Sequence, residues 1–145
     1  IDLKFVCAWV GRRGGMQQYF DGLATRNVLR QGSAPVIEHG DSAGNIAKVL
    51  REMAAHEAPI KSARFYCCIV LLQHAEDPQP IIAEGIWHGE ILDVPLGEYG
   101  FGYDPIFWDS IHQQSAAQLP AELKNRISHR GQALAQLREK LHARG

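Results

Sequence analysis

Hydrophobic and polar positions separate the chain into a first stretch without sustained periodicity and a well-patterned remainder. Through residues 1–37 apolar side chains are scattered among Gly11-Arg12-Arg13-Gly14-Gly15 and Arg26 to Ser33, and the pattern predicts loop or a poorly specified segment. From Asp41 onward Ile46, Val49, Leu50, Met53 and Ala54 recur at helical spacing, with Asp41 or Ser42 placed as a cap and Pro59 as a stop. Ala63 to Leu72, ARFYCCIVLL, is a short apolar run rich in aromatic and β-branched residues. It predicts a strand buried on both faces, with Cys67 and Cys68 directed to opposite sides.

Gln73 to Pro80 is turn chemistry, and Ile81 to Leu92 reads as the returning strand of a hairpin. Gly85 and Gly89 within it mark bulges or points of close backbone approach. A glycine-rich loop, Gly97 to Pro105, leads to Ile106-Phe107-Trp108. Pro120 suits the opening of a short helical turn. The last element, Ser128 to Ala143, carries Ala133, Leu134, Leu137 and Leu141 as an apolar stripe.

Composition narrows the function classes. Fifteen basic residues against sixteen acidic leave a formal charge of −1, which argues against a protein that coats nucleic acid polymers or an anionic membrane by bulk charge. No apolar run reaches the roughly 18 residues of a membrane span. Cys7, Cys67 and Cys68 are an odd count with two adjacent, so reduced thiols and a cytoplasmic location are expected rather than a disulfide scaffold. The chain opens on Ile1 without an initiator methionine or a signal-peptide pattern, and truncation is expected.

The seven histidines, His39, His56, His74, His88, His112, His129 and His142, lack metal-ligand spacing, and exposed, non-ligating histidine is expected for six of them. Cys67 reads as a small core residue.

Two segments carry chemistry. In Gly100 to Phe107, GFGYDPIF, glycines on either side of Phe101 allow close backbone approach, and the ring offers a face for a flat base. Asp104 before Pro105 is expected to be extended. A tight turn with Phe101 and Tyr103 packed inward fits the same residues. In Lys124 to Gly131, KNRISHRG, a cap at Ser128 would place His129 and Arg130 in the first turn of a helix. Cations there oppose the helix dipole, which suits an electron-rich ligand in front of it. His129 and Arg130 can donate to carbonyl oxygens, and Lys124 can meet a phosphate or ring oxygen. A solvated helix start accounts for the segment equally well.

Together these segments resemble the inosine triphosphate pyrophosphatase family, whose members hydrolyse non-canonical purine nucleoside triphosphates. The resemblance runs from Glu38 to Leu141 and rests on GFGYDPIF and KNRISHRGQAL in this order and spacing. It implies an α/β fold with a mixed sheet and flanking helices, here with the N-terminal half missing, and a homodimer. By the same resemblance Phe101, Gly102, Tyr103 and Asp104 hold the purine, Lys124 is a ligand contact, and His129 and Arg130 donate to the oxo groups of the base. The substrates implied are inosine, deoxyinosine and xanthosine triphosphates, cleaved to monophosphate and pyrophosphate with Mg²⁺ bridging phosphates.

The family's TGNxxK phosphate loop, its metal-binding glutamate and its DDSG segment with the catalytic aspartate do not occur in this sequence. Asp41-Ser42-Ala43-Gly44 resembles the last of these but sits too late, and no catalytic residue is assigned. Where the family reads LGGAPG, Ala8 to Gly14 reads AWVGRRG. One set of codons for that stretch, read two bases later, yields LGGAPG. Residues 1–37 are therefore expected to be atypical, translated out of frame or disordered, ahead of residues 38–145 as the C-terminal part of the enzyme domain; the coding DNA decides this. Little or no activity is expected of the chain alone. The alternative is a non-catalytic purine-binding or dimerisation remnant. If the absent half supplied partners for ARFYCCIVLL, that strand would be left with an exposed apolar edge.

Overall fold

The computed structural model describes residues 2–12 and 15–19 as backbone, and residues 42–55, 61–74 and 76–145 with their side chains. Asp41, His39 and His56 lie outside the described residues. The elements in chain order are β1 (Asp2–Arg12), β2 (Gly15–Tyr19), α1 (Ser42–Ala54), β3 (Ser62–Leu72), β4 (Ile81–Ile91), a 3-10 turn (Asp104–Ile106), β5 (Phe107–Asp109), β6 (Gln114–Ser115), α2 (Ala121–Ile127) and α3 (His129–Ala143). The class is α/β, as the sequence predicts. The strands pair in the order β2-β1-β3-β4-β5-β6.

The first stretch is a correction. Residues read as loop contain β1 and β2, paired antiparallel from Ala8 with Tyr19 to Arg12 with Gly15. Leu3 to Val10 mixes aromatic and β-branched residues without alternation, so no period shows. Strand form then depends on partners rather than on local preference, and β1 has β2 and β3 beside it. The same order corrects a second expectation. β3 has β1 on one edge and β4 on the other, so it presents no open edge.

The chain divides into two compact units. Unit 1 comprises Ile1–Leu3, Arg26–Arg64 and His88–Lys124; unit 2 comprises Lys4–Thr25, Phe65–Trp87 and Asn125–Gly145. In unit 1, α1 buries Ile46 and Val49 from its predicted stripe, while Ala54 is exposed. The start of β3 meets the end of β4, where the Ile91 amide donates to the Lys61 carbonyl at 2.8 Å. This is the antiparallel sense of the expected hairpin. β4 continues the sheet through Glu90 with Trp108 and Ile91 with Phe107. Ile106, Phe107, Ala116, Ala117 and Leu119 are buried in the same unit.

In unit 2, β3 buries Phe65, Cys67 and Ile69 on one face. Tyr66, Cys68 and Val70 on the other are half-buried, which corrects the expectation of two buried faces. β4 alternates buried and exposed along most of its length, the pattern of a strand with one packed side. Cys67, Ile69, Ala83 and Ala133 form a core cluster, with Leu137 against it. The apolar stripe of α3 is accordingly narrower than predicted, for Leu134 and Leu141 are 54% and 45% exposed.

Polar side chains do more of the docking of α3. Gln136 Oε1 accepts from the Glu84 amide at 2.8 Å, and Gln132 Oε1 from the Ile86 amide at 3.3 Å. Lys140 Nζ donates to the Ile82 carbonyl at 2.6 Å, and the Arg144 guanidinium to the Gln79 carbonyl at 2.8 Å. Residues four apart lie one above another on a helix, so Gln132, Gln136 and Lys140 follow the backbone of β4, and Arg144, just past the end of α3, reaches the turn before that strand.

The β3–β4 connection is organised by Asp77, whose carboxylate accepts from the Gln73 amide at 2.9 Å and the Gln79 amide at 2.8 Å. These bonds lower its pKa below the ordinary 3.8. Between the two values the unfolded chain binds the extra proton, so the stabilisation is complete above pH 3.8 and disappears as pH falls through the folded value. Asp77→Ala should therefore lower the urea midpoint at neutral pH, and the difference from the unaltered protein should vanish in strong acid. A difference that persists unchanged in acid would assign the loss to something other than this carboxylate.

Candidate purine-recognition site

The aromatic turn in unit 1 is built around one carboxylate oxygen. Asp104 is 4% exposed, and its Oδ2 accepts from the Phe101 amide at 3.0 Å. The same atom pairs with the Lys124 ammonium from α2. The Asp104 amide returns to the Phe101 carbonyl at 3.3 Å, and the Asp104 carbonyl accepts from the Ala117 amide at 3.2 Å. Asp104 thus fastens the loop, the turn after β6 and α2 together. Asp104 is not extended, as its place before proline predicts; it opens the 3-10 turn, with Pro105 inside the first turn. The bonds to both sides outweigh the local bias of the pre-proline residue, which is a preference and not a prohibition.

Glycine is required here. Gly100 has φ +88° and Gly102 φ +63°, conformations that side-chain-bearing residues seldom adopt. A Cβ at Gly100 would also run into the Asp104 carboxylate and lie 2.7 Å from Lys124 Nζ. The two aromatic rings divide between the two readings of the motif. Tyr103 packs inward at 8% exposure, and burial raises its phenol pKa. Phe101 stays 53% exposed, with Lys124 Nζ 5.4 Å from its ring centroid, within the range of a cation–π contact. The turn therefore offers an aromatic face with a cation at its side.

Unit 2 holds the other predicted residues. Ser128 caps α3 as expected: its backbone is extended and its hydroxyl accepts from the Gly131 amide at 3.2 Å. His129 and Arg130 are the first two residues of the helix. His129 is 6% exposed, and its ring lies on that of Phe65 with centroids 4.8 Å apart and planes inclined by 16°. Phe65 in turn contacts Trp87 at 6.0 Å. Arg130 is half-buried.

The seating of α3 depends on Gly85. A Cβ there would overlap the His129 carbonyl oxygen and sit 2.8 Å from the Ala133 amide. The close-approach reading of this glycine is the one the structure supports. Gly89 is similar, since a Cβ would meet the Trp108 carbonyl and the Phe107 ring. Phe65 was not singled out in the sequence, because an aromatic residue within an apolar strand carries no mark that separates a ring-stacking partner from ordinary core.

Five of the predicted residues, Phe101, Gly102, Tyr103, Asp104 and Lys124, are thus gathered in unit 1, and His129 and Arg130 are adjacent in unit 2. A model of the Ham1 family matches residues 18–140. The chain belongs to the Ham1 family. It is similar to a protein named dITP/XTP pyrophosphatase from Xylella fastidiosa strain 9a5c, 57% identical over 102 residues that make up 70% of this chain and 51% of the relative. A Ham1 protein structure from Coxiella burnetii shares 46% identity with a TM-score of 0.69, over 73% of this chain and 54% of that one. The Staphylococcus aureus Ham1 structure shares 34% identity with a TM-score of 0.66, over 74% and 54%. This Ham1 chain spans about half the length of the curated relatives it matches.

Proposed function

We propose that this chain is the purine-reading part of a pyrophosphatase acting on inosine, deoxyinosine and xanthosine triphosphates, and that alone it binds the 6-oxopurine nucleotide with little or no hydrolysis. The observation that carries the reading is Asp104 holding the Phe101 backbone and the Lys124 ammonium on one oxygen. An exposed aromatic face beside a fixed cation suits a flat, electron-rich heterocycle. The relatives named dITP/XTP pyrophosphatase support the choice of base.

The chemistry of selection follows from donors. Phe101 stacks on the purine, while Gly102, Tyr103 and Asp104 shape the turn around it. An ammonium has three donors, of which Asp104 engages one, leaving Lys124 able to meet a ring or phosphate oxygen. His129 and Arg130 donate to the oxo groups of hypoxanthine or xanthine. Adenine presents an amino donor at the same position, leaving those protein donors unpaired, and such a loss discriminates strongly.

The phosphate side rests on Mg²⁺ by family resemblance. Among the described residues no group of three or more His, Cys, Asp or Glu side chains could hold a metal ion. The described residues do not fit the ion. Among the described residues no helix is long and apolar enough to cross a membrane. A cytoplasmic homodimer completes the proposal, and sedimentation would measure its stoichiometry.

Calorimetry with inosine monophosphate, paired with a pyrophosphate-release assay on inosine triphosphate, tests the reading. Saturable binding without appreciable release is the expected result. Release at the rate of a full-length relative would overturn the claim of inactivity. Absence of binding would overturn the proposed purine site.

A further inference from the structure

We infer that Phe65 is a positioning residue for base discrimination, fixing the plane of the His129 imidazole; this rests on the proposed role of His129 in reading the purine oxo group. Both N–H directions of an imidazole lie in the plane of its ring. A ring held flat on Phe65, at 4.8 Å and 16°, is therefore confined to pointing its donors within one sheet of directions parallel to the phenyl face. Rotation about the side chain that would tip the donors out of that plane drives the imidazole into the phenyl ring.

The support is itself buried. Phe65 is 1% exposed, and Trp87, 5% exposed, backs it at 6.0 Å. β3 carries Phe65, and β4 carries both Trp87 and Gly85, so the two strands that hold the stack also set how closely α3 approaches. At Gly85 the backbone of β4 lies against the His129 carbonyl with no room for a side chain. Ser128 fixes the helix start from the other side by accepting the Gly131 amide. Backbone depth is thus set by Gly85 and Ser128, and ring plane by Phe65. A hydrogen bond depends steeply on donor angle, so losing the planar support degrades recognition of the oxo group.

The test compares Phe65→Leu with the unaltered protein, using inosine and adenosine monophosphates as probes in calorimetry and competition. Leucine keeps an apolar side chain of comparable bulk and removes the flat face. The preference for inosine over adenosine monophosphate should fall about tenfold, the factor carried by one ordinary hydrogen bond, with adenosine monophosphate affinity unchanged. A merely structural role would weaken both nucleotides together and leave the preference where it was; that result overturns the inference.

A second measurement needs no variant at position 65 and no nucleotide. In proton NMR of the unaltered protein, the His129 ring signals, assigned by their loss in His129→Gln, should be displaced upfield by the phenyl ring current. Signals at ordinary positions overturn the inference even if Phe65→Leu fails to fold. If the unaltered protein binds no inosine monophosphate, the proposed function falls and this role falls with it. If it binds with an unchanged preference in Phe65→Leu, only the role of Phe65 falls.

Discussion

Lys124→Met should destabilise the protein by about 3 kcal/mol, the lower end of what breaking a buried ion pair costs. The lower end applies because the Lys124 side chain is 19% exposed while that of Asp104 is 6% exposed. Methionine preserves the stem and removes the ammonium, so the penalty falls on the Asp104 carboxylate left without its cation. The Phe101 amide still donates to that carboxylate but does not neutralise it. Urea denaturation gives the magnitude, and a double-mutant cycle with Asp104→Asn gives its origin. The double variant should recover much of the loss, since neutralising both partners removes the uncompensated charge. A single-variant loss below about 0.5 kcal/mol would mean that the pair behaves as a solvated surface contact. The same substitution should weaken inosine monophosphate binding, because it removes the cation beside Phe101.

Gly85→Val is the second large expected effect. The added Cβ meets backbone and not the end of a movable side chain, since the His129 carbonyl oxygen occupies its place. Relief requires α3 to retreat from β4, which loosens Ala133 from Cys67, Ile69 and Ala83. Overpacking of this kind costs about 3 kcal/mol, and more where backbone must shift. The thermal midpoint should fall accordingly, and the His129 stack on Phe65 should be lost with it. A midpoint unchanged within error would show that the helix is not seated against this glycine.

The sequence was legible where local chemistry and tertiary contact agree. ARFYCCIVLL and the segment from Ile81 are strands joined by the turn around Asp77, because an apolar run and a cluster of turn residues favour the same hairpin, although only one face of ARFYCCIVLL is fully buried. Ser128 was readable as a cap because its hydroxyl meets an amide three residues on, a contact within the reach of local pattern. β1 was not readable. Its strand form depends on β2 and β3, and the sequence of a strand does not announce its neighbours.

The site was legible in its residues and less so in their arrangement. Glycines at 100 and 102 signalled an unusual backbone, and their positive φ values are the reason. That Asp104 would turn instead of extend was hidden, because its partners, Lys124 and Ala117, come from elsewhere in the chain. The width of the apolar stripe on α3 was overestimated for a related reason. Leucine at helical spacing looks like core, yet glutamine at positions 132 and 136 reaches the sheet through hydrogen bonds, which hydrophobic periodicity does not register.

Those glutamines, with Lys140, occupy backbone groups of β4 that would otherwise invite another chain, and Arg144 holds the turn just before it. A foreign strand arriving at that margin would have to displace side-chain bonds to Glu84, Ile86, Ile82 and Gln79 before forming its own. Unclaimed margins of this kind seed fibrous growth in other sheets. Here the final helix works as a selvedge along β4 from Ile82 to Ile86, holding with side chains the backbone groups that a strand would need.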